Sequence, residues 1–317
     1  MKKLLILVIV FLALVFGAVM MNKNDKNMIK VAEVTHSVFY APQYIALEEG
    51  YFSEYGLNVD IILTPGADKV TAALLSGDVQ IGLCGSEASI YVYNQGEKDY
   101  IVNFAGLTKR DGSFLVSREK IDNFNINMLE GKHIIGGRKG GMPALTLEWA
   151  LKQNGVNANV DTSIEYGSMS GAFISGIGDY VTIFEPGASK IEQEGYGYIV
   201  SAVGTLGGTV PYTVYNARKS FIDNNPQVIA NFKKAIQKGL DFIHNNTNED
   251  IANKLLKYFP DTSLNDLVIM VDNHKKIDSW YKDTIIPEND FMHMQDIINE
   301  AGLLDKYVNY NDLVYVK

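Results

Sequence analysis

The sequence predicts an α/β protein of two lobes, each with a central sheet that is flanked by helices. Short apolar segments alternate with helical patterns from residue 30 to residue 216, as is typical of parallel strands joined by crossover helices. From Pro226 onward the pattern is helical only. The chain has 317 residues and is 47% hydrophobic, which is sufficient for two domains of ordinary size.

The first series of elements has four strands separated by three helices. Pro42 stands at an early helical position, where its missing N–H costs little, and Gly77 follows the second helix. The predicted strands are Lys30–Thr35, Leu57–Leu63, Val79–Leu83 and Tyr100–Leu107, and the predicted helices are Pro42–Glu49, Ala67–Leu75 and Glu87–Tyr93.

The second series repeats this alternation. The predicted strands are Phe114–Ser117, His133–Gly136, Ser163–Tyr166, Tyr180–Phe184, Tyr198–Val203 and Thr209–Asn216, and the predicted helices are Pro143–Gln153, Gly171–Gly176 and Ala188–Glu194. A glycine-rich segment, Gly204–Gly208, precedes the last strand and is expected to be a chain crossing.

The remaining helices have no strands of their own, so we expect them to cover the first lobe or to brace the two lobes. They are predicted at Pro226–Asn245, Asn248–Phe259, Leu264–Lys276 and Glu288–Ala301. This layout makes the first lobe discontinuous: it comprises residues 28–114 and 209–317, and the second lobe comprises residues 115–208. Two crossings, near Ser113–Ser117 and Gly207–Tyr212, would form a hinge about which the lobes close.

The N-terminus has the layout of an export segment. Lys2 and Lys3 precede an apolar run of 18 residues, Leu4–Met21, and a polar stretch follows. The run also reaches the length of a short membrane span, so a cleaved signal peptide and an uncleaved anchor both remain open for residues 1–27. In either case the lysines stay on the cytoplasmic side and the rest of the chain is exported, either tethered to the outer face of the membrane or secreted.

Charge and cysteine content exclude several classes of protein. The net charge is −9 and no basic run is present, which argues against nucleic-acid binding. The single cysteine, Cys84, cannot form an internal disulfide, and no Cys/His spacing resembles a zinc site. We expect no cofactor and no metal, and we expect a monomer.

Two motifs resemble a known family. The stretch YIALEEGYFSEYGLNVDI within residues 38–63 and the stretch ALLSGDVQIG within residues 72–82 are similar to the solute-binding proteins of nitrate, sulfonate and taurine importers. That family also holds receptors for thiamine-pyrimidine precursors and riboflavin. The resemblance implies the type II periplasmic-binding-protein fold, with an ABC permease and, through it, a cytoplasmic ATPase as partners. The chain lacks a phosphate-binding loop, so it is not itself that ATPase.

The implied fold would bind ligand where loops after the strands meet helix N-termini, since free N–H groups there favour anionic or carbonyl oxygens. The first candidate loop is His36–Tyr40. Ser37 could donate a hydrogen bond, and Phe39 and Tyr40 could stack on a flat ligand. Alternatively, Phe39 packs internally and Tyr40 alone faces the cleft.

The second candidate loop follows the third strand. Gly85 permits close backbone approach, Ser86 suits a helix cap, and Glu87 lies in the first helical turn, where it could also simply complement the helix dipole. Cys84 is expected to be a small buried residue rather than a nucleophile.

The third candidate is the glycine-rich turn Gly136–Pro143 in the second lobe. Arg138 and Lys139 supply positive charge, and Gly140 and Gly141 allow a ligand to approach backbone amides. A solvated turn without a ligand is the alternative interpretation.

Further candidates come from strand ends and from the second crossing. Glu165 with Tyr166, and Phe184 with Glu185, each end a predicted strand of the second lobe, and the second crossing ends at Tyr212. We expect these side chains to face the cleft.

The ligand class depends on which charges face inward. Acidic and aromatic side chains would suit a flat nitrogen heterocycle, such as a pyrimidine or a vitamin precursor, whereas Arg138 and Lys139 alone would favour a sulfonate or nitrate anion. An enzyme of the pyrimidine-synthase type is a further alternative, although the cysteine-rich motif of that family is missing. A sensor module is another alternative, which would need a signalling domain after the lobes.

Fusion of residues 1–27 to a periplasmic reporter enzyme tests the export prediction. Reporter activity should lie outside the cytoplasm, because a positive segment followed by an apolar run directs export. Activity confined to the cytoplasm would contradict the predicted location.

Overall fold

The computed structural model describes residues 28–316, so the predicted export segment lies outside the described residues. The ten strands of this part are β1 (Met28–Glu33), β2 (Asn58–Leu63), β3 (Ile81–Cys84), β4 (Ile101–Thr108), β5 (Phe114–Ser117), β6 (His133–Ile135), β7 (Asn159–Asp161), β8 (Tyr180–Ile183), β9 (Tyr198–Ala202) and β10 (Thr213–Arg218).

Helices surround these strands. They are α1 (Ala41–Glu48), α2 (Tyr51–Glu54), α3 (Ala67–Ser76), α4 (Glu87–Asn94), α5 (Met142–Gln153), α6 (Met169–Ile174), α7 (Gly187–Gln193), α8 (Val203–Gly207), α9 (Lys219–Asn224), α10 (Pro226–Asn245), α11 (Asn248–Leu255), α12 (Leu264–Lys276), α13 (Glu288–Glu300) and α14 (Tyr310–Leu313). Short 3-10 helices occur at Val38–Tyr40, Ile126–Leu129 and Tyr166–Ser168. Within residues 28–316, none of these helices combines the length and apolarity that a membrane crossing requires.

The strands form two five-stranded sheets, as the two-lobed prediction requires. The first has the order β2-β1-β3-β10-β4 and the second the order β7-β6-β8-β5-β9. Both are mixed: β10 is antiparallel to β3 and β4, and β5 is antiparallel to β8 and β9. The sequence pattern indicated parallel strands, and β5 and β10 depart from it because each enters a sheet from the other lobe rather than through a crossover helix.

The chain passes between the sheets twice. It leaves the first sheet after Thr108, joins the second at Phe114, and returns between Ala202 and Thr213. The first crossing, residues 109–113, lies just before the segment that we predicted for it. The lobe boundaries themselves stay a prediction.

Several predicted bounds differ from the structure by a few residues, one strand is misplaced, and the short helix of the second crossing was not predicted. The strand predicted at Ser163–Tyr166 lies earlier, at Asn159–Asp161, because the Asp161 carboxylate accepts bonds from the amide and hydroxyl of Ser163 at 2.8 and 2.6 Å and turns the chain. The glycine-rich crossing contains the short helix Val203–Gly207, which ends at Gly208 with a φ of 78°.

The C-terminal helices both cover the first lobe and brace the two lobes. α10 packs on α1 and α2, with Phe232 lying 5.0 Å from the rings of Phe52 and Tyr215. α13 packs against α5 of the second lobe, where the Lys152 ammonium lies 3.1 Å from the Glu300 carboxylate. These helices therefore contact elements of both predicted lobes.

Substitution of Gly239 tests how closely α10 packs against α1. A Cβ at this position would lie 2.2 Å from the carbonyl oxygen of Pro42, so Gly239→Ala should lower the free energy of unfolding by about 1–3 kcal/mol, although alanine normally favours a helix. Chemical denaturation measures this change.

Gly171, in α6, is the matched control. A Cβ there meets nothing within 4 Å, so Gly171→Ala should raise the free energy of unfolding by about 0.5–1 kcal/mol. Equal changes at both positions would contradict the close approach of α1 and α10.

Candidate functional site

Five aromatic side chains meet where the two lobes face each other. Phe39 lies 5.6 Å from Phe184 in a stacked arrangement and 5.8 Å from Tyr212 in an edge contact, both measured between ring centroids. Tyr166 lies 5.9 Å from Phe184, and Tyr40 lies 5.6 Å from Phe39. The aromatic cluster thus joins the 3-10 helix after β1, the second lobe and the second crossing.

Ser37 fixes the loop that carries Phe39 and Tyr40. Its hydroxyl accepts a bond of 3.2 Å from the Phe39 amide, which begins the 3-10 helix, and donates a bond of 2.6 Å to the carbonyl of Glu185 in the second lobe. The hydroxyl is buried, so it connects the lobes directly at the aromatic cluster.

A second layer supports Phe39 from behind. The imidazole of His274 stacks on it at 5.2 Å, and the indole nitrogen of Trp280 donates a bond of 2.8 Å to the Phe39 carbonyl. Burial lowers the pKa of His274 to about 3, so this ring is neutral. Both residues belong to the C-terminal part of the chain, and no pattern in the sequence indicated their position.

The loop after β3 brings Ser86 and Glu87 to the same interface. The Ser86 hydroxyl donates to the carbonyl of Pro211 in the second crossing. The Glu87 carboxylate folds back over Gly85, where an added Cβ would lie 2.0 Å from Oε2. Gly85 therefore makes room for a carboxylate, which is a more specific role than the close backbone approach that we predicted.

Glu87 is almost completely buried. Its side chain is 3% exposed, and Oε2 has no hydrogen-bond partner among the described residues. Burial raises the pKa of the carboxyl to about 7. Hydrogen bonds from its own backbone amide and from that of Met142, at the start of α5, partly oppose this rise. Glu87 therefore titrates in the neutral range while facing the second lobe.

Asp111, in the first crossing, is a buried acid that the sequence analysis missed. Its carboxylate accepts bonds from the amide and hydroxyl of Ser113, at 2.7 and 2.6 Å, and from the Thr146 hydroxyl at 2.6 Å. Burial raises the pKa of Asp111 to about 6. The pattern Asp111-Gly112-Ser113 after a strand could have indicated this turn, since Asp accepts from the residue two positions later.

Glu185 is buried, and both of its carboxylate oxygens accept hydrogen bonds. Its carboxylate accepts bonds from the amide and hydroxyl of Ser189, at 2.9 and 2.7 Å, and one of 3.2 Å from the Asn273 amide. It caps the start of α7 and links it to α12. Glu165, which we expected to face the cleft, is exposed, because the strand that should have aimed it inward ends at Asp161.

The glycine-rich turn lies at the rim of the interface. The Arg138 guanidinium pairs with the Asp68 carboxylate of the first lobe at 2.5 Å, and Lys139 is exposed. Gly140 accepts a bond of 3.0 Å from the Tyr91 hydroxyl, and Gly141 immediately precedes α5. Lys139 and Gly140 line a surface cavity of about 400 Å³ together with Tyr91, Asn94, Gln95, Leu303 and Asp305.

The predicted site residues thus divide into two groups. Nine meet at the buried lobe interface: Ser37, Phe39, Tyr40, Gly85, Ser86, Glu87, Tyr166, Glu185 and Tyr212. The other four, Arg138, Lys139, Gly140 and Gly141, belong to the turn at the rim.

The sequence profile of proteins described as NMT1/THI5 like matches residues 38–250. The chain belongs to this family. The Bacillus subtilis (strain 168) protein YtlA, whose name designates it a candidate binding protein, is 41% identical over 297 residues, which cover 92% of this chain and 89% of YtlA. The resemblance that the motifs indicated is therefore confirmed.

Solved structures of periplasmic binding proteins share the fold of this family member. The alkanesulfonate-binding protein SsuA of Xanthomonas axonopodis pv. citri, bound to MOPS, has a TM-score of 0.73 at 12% identity, over 91% of this chain and 98% of its own. The nitrate-binding protein NrtA of Synechocystis PCC 6803 has a TM-score of 0.70 at 13% identity, over 91% and 86%. The predicted periplasmic-binding-protein fold is confirmed.

Glu87→Gln tests the burial of the carboxyl in the ligand-free protein. Because the pKa is raised on folding, the folded state holds more protons than the unfolded state between pH 4.5 and 7, and wild-type stability falls as the pH rises through that window. Glutamine does not titrate, so the variant does not show this loss of stability. The unfolding free energy of the variant minus that of wild type should therefore rise by about 3 kcal/mol between pH 4.5 and 8.

Denaturant unfolding at each pH measures the difference. A difference that does not change with pH would mean that the Glu87 carboxyl is solvated in the folded protein.

Proposed function

We propose that this protein is the extracytoplasmic solute-binding component of an ABC importer and that it holds a nitrogen heterocycle, such as a pyrimidine or a vitamin precursor, between its lobes. One observation carries the choice of ligand. Acidic and aromatic side chains are buried at the lobe interface, whereas Arg138 and Lys139 stay at its rim.

The receptor function is supported by family membership and by the fold. SsuA and NrtA, which share the fold, bind an alkanesulfonate and nitrate respectively, and YtlA is named as a candidate binding protein. A receptor of this kind delivers its ligand to a membrane permease, which a cytoplasmic ATPase drives. Residues 1–27 would export the chain and leave it either tethered to the outer face of the membrane or secreted.

The two crossings would act as the hinge. Their amide and carbonyl groups bond to each other, with Val203 donating to Ser113 at 3.0 Å and Val210 donating to Lys109 at 3.0 Å. Such a short paired connection lets one lobe rotate on the other while the sheets stay intact. Ligand would enter when the lobes separate, and it would part the stacked rings of Phe39 and Phe184.

The charges at the interface favour a ligand with N–H groups. None of the fully buried polar side chains of residues 28–316 belongs to lysine or arginine, whereas Glu87, Asp111 and Glu185 are all buried. An inorganic anion would be repelled by carboxylates in a poorly solvated site. A heterocycle can offer N–H groups to them and a ring face to Phe39 or Phe184.

A sulfonate or nitrate anion is the second candidate. The relatives that bind such anions support it, as do the backbone amides at the start of α5. The pairing of Arg138 with Asp68 weighs against it, because the guanidinium would have to give up an existing carboxylate partner.

Catalysis of the pyrimidine-synthase type has less support. Cys84, the single cysteine, is buried in β3 and accepts a bond of 3.3 Å from the Asn216 amide. Burial raises the pKa of its thiol to about 12, so the nucleophilic thiolate is not available at neutral pH. We therefore propose binding without turnover.

Phe184→Leu, with Phe173→Leu as its matched control, tests the stacking site. Both phenylalanines are buried in the second lobe, but within residues 28–316 the Phe173 ring makes no ring contact with the five members of the aromatic cluster. Affinity for a bound heterocycle should fall about 2- to 10-fold in Phe184→Leu and stay unchanged in Phe173→Leu, because an aromatic contact contributes about 0.5–1.5 kcal/mol.

A thermal-shift screen of pyrimidines, flavins, taurine, alkanesulfonates and nitrate would identify the ligand, and native mass spectrometry would reveal any that co-purifies. Stabilisation by nitrate or an alkanesulfonate, with no response to any heterocycle, would overturn the proposed ligand class. Conversion of the bound molecule would overturn the proposal of a receptor without catalysis.

A further inference from the structure

The four buried carboxyls of residues 28–316 differ in how their oxygens are bonded. Glu33 accepts from His36, Gln43 and Tyr44, and the partners of Asp111 and Glu185 have been described above. Each of these three has a partner on both oxygens. Glu87 differs, because its Oε2 is buried without a hydrogen bond. A buried polar atom without a partner is costly to maintain, so its presence between two lobes that bind a ligand indicates a function.

The titratable groups around Glu87 are a thiol and two tyrosine hydroxyls, and none of them can carry a positive charge. Burial raises the pKa values of Cys84 in β3, Tyr91 in α4 and Tyr212 in the second crossing, and the negative charge of Glu87 adds to each shift. From the second lobe, the group that faces it is the backbone amide of Met142. No lysine or arginine of the described residues is among the groups that shift its pKa. Protonation, rather than an ion pair, is therefore the way in which this site can neutralise the carboxyl.

We propose that Glu87 is the specificity-determining residue of the site and that its carboxyl, in the protonated form, pairs with a donor–acceptor edge of the ligand. Such an edge consists of a ring nitrogen next to an amino group. The carboxyl O–H donates to the ring nitrogen, and the carboxyl carbonyl accepts from the amino group, so both oxygens gain partners at once. This inference rests on the proposed function, in which a nitrogen heterocycle binds between the lobes.

The position of Glu87 suits this role. Burial is the main cause of the raised pKa of Tyr212, and Tyr212 lies near enough to Glu87 for that negative charge to add to the rise. Its hydroxyl also lacks a hydrogen-bond partner of good geometry within residues 28–316. Tyr212 belongs to the aromatic cluster, in an edge contact with Phe39. A ring lying against this cluster can therefore present its edge to Glu87, and Gly85 leaves space for the carboxyl to receive it.

The pairing makes affinity depend on pH in a defined direction. The pKa of Glu87 in the free protein is about 7, and the complex holds one proton between carboxyl and ring. Binding is strongest where the free carboxyl is already protonated, and it weakens as the pH rises above that value. For a ligand that is neutral throughout, the affinity should fall about 20-fold between pH 6.5 and pH 8.5.

Two probes of equal size test whether the protein recognises the donor–acceptor edge. They are 4-aminopyrimidine, which has a ring nitrogen beside an amino group, and 4-methylpyrimidine, which lacks the N–H donors. Isothermal titration should give the wild-type protein at least a tenfold preference for the amino compound. Glu87→Gln should keep that affinity within about threefold at pH 6.5 and lose its pH dependence, because an amide has the same donor and acceptor as a protonated carboxyl. Glu87→Leu should lose at least tenfold.

Glu33→Gln is the matched control, since Glu33 is a buried carboxyl whose partners all lie within the first lobe. It should keep the wild-type affinity and pH profile. The proposal is overturned if wild type does not discriminate between the probes, if Glu87→Gln keeps the wild-type pH profile, or if Glu87→Leu binds as tightly as wild type.

Native mass spectrometry separates failure of this inference from failure of the proposed function. A heterocycle that co-purifies equally with wild type and Glu87→Leu overturns the role of Glu87 and leaves the receptor function standing. A co-purified alkanesulfonate or nitrate overturns the proposed ligand class as well.

Discussion

The two chain crossings determine how the lobes meet, and Asp111 anchors the first crossing to the second lobe. The carboxylate of Asp111 closes a turn onto Ser113 and accepts from Thr146 in α5, so one side chain ties the first crossing to the second lobe. A Cβ at Gly204 would lie 2.2 Å from the Asp111 carbonyl, which shows how closely the second crossing passes the first. The cluster of Phe39, Phe184 and Tyr212 sits at this junction because the crossings bring its members together.

The charges are distributed according to the cost of burial. Basic side chains can stay solvated at the rim, where Arg138 gains a partner in Asp68 at little cost in desolvation. Acids at the interface are stable there only if protonated or supplied with donors, and Asp111 and Glu185 obtain donors from serine hydroxyls and backbone amides. Glu87 has too few donors of its own, so its charge state depends on what lies against it.

The order of elements could be predicted because local patterns determine it. Phe114–Ser117, Pro226–Asn245 and Leu264–Lys276 were predicted with their observed bounds, since apolar spacing and flanking turn residues mark them. The antiparallel strands β5 and β10 were not foreseen, because strand direction depends on where the chain comes from in space. The strand at Ser163–Tyr166 was misplaced because an Asp–Ser turn is a stronger signal than an apolar pair.

The candidate site was only partly accessible from sequence. Ser37, Phe39 and Glu87 could be named because they follow strands, where the fold family brings ligands. The burial of Asp111 and His274 could not be predicted, since it depends on distant parts of the chain, although the pattern Asp111-Gly112-Ser113 does mark the turn.

The basic turn at Arg138 shows a second limit of the sequence. Charge in a glycine-rich loop indicated an anion site, but the sequence did not reveal that Asp68, 70 positions earlier, supplies the partner.

Glu87 differs from the other buried acids in its hydrogen bonding. This difference indicates how such a receptor could combine closure of its lobes with selectivity for its ligand. In a closed interface without ligand, Glu87 must be protonated or remain without a partner, and either state costs free energy relative to a solvated carboxylate. A ligand edge that supplies both a donor and an acceptor removes that cost. It does so only when the lobes are together, because Met142 of the second lobe completes the surroundings of the carboxyl. A molecule lacking this edge leaves the cost in place and gains less from closure. Selection of the ligand and stabilisation of the closed form would then have the same physical origin.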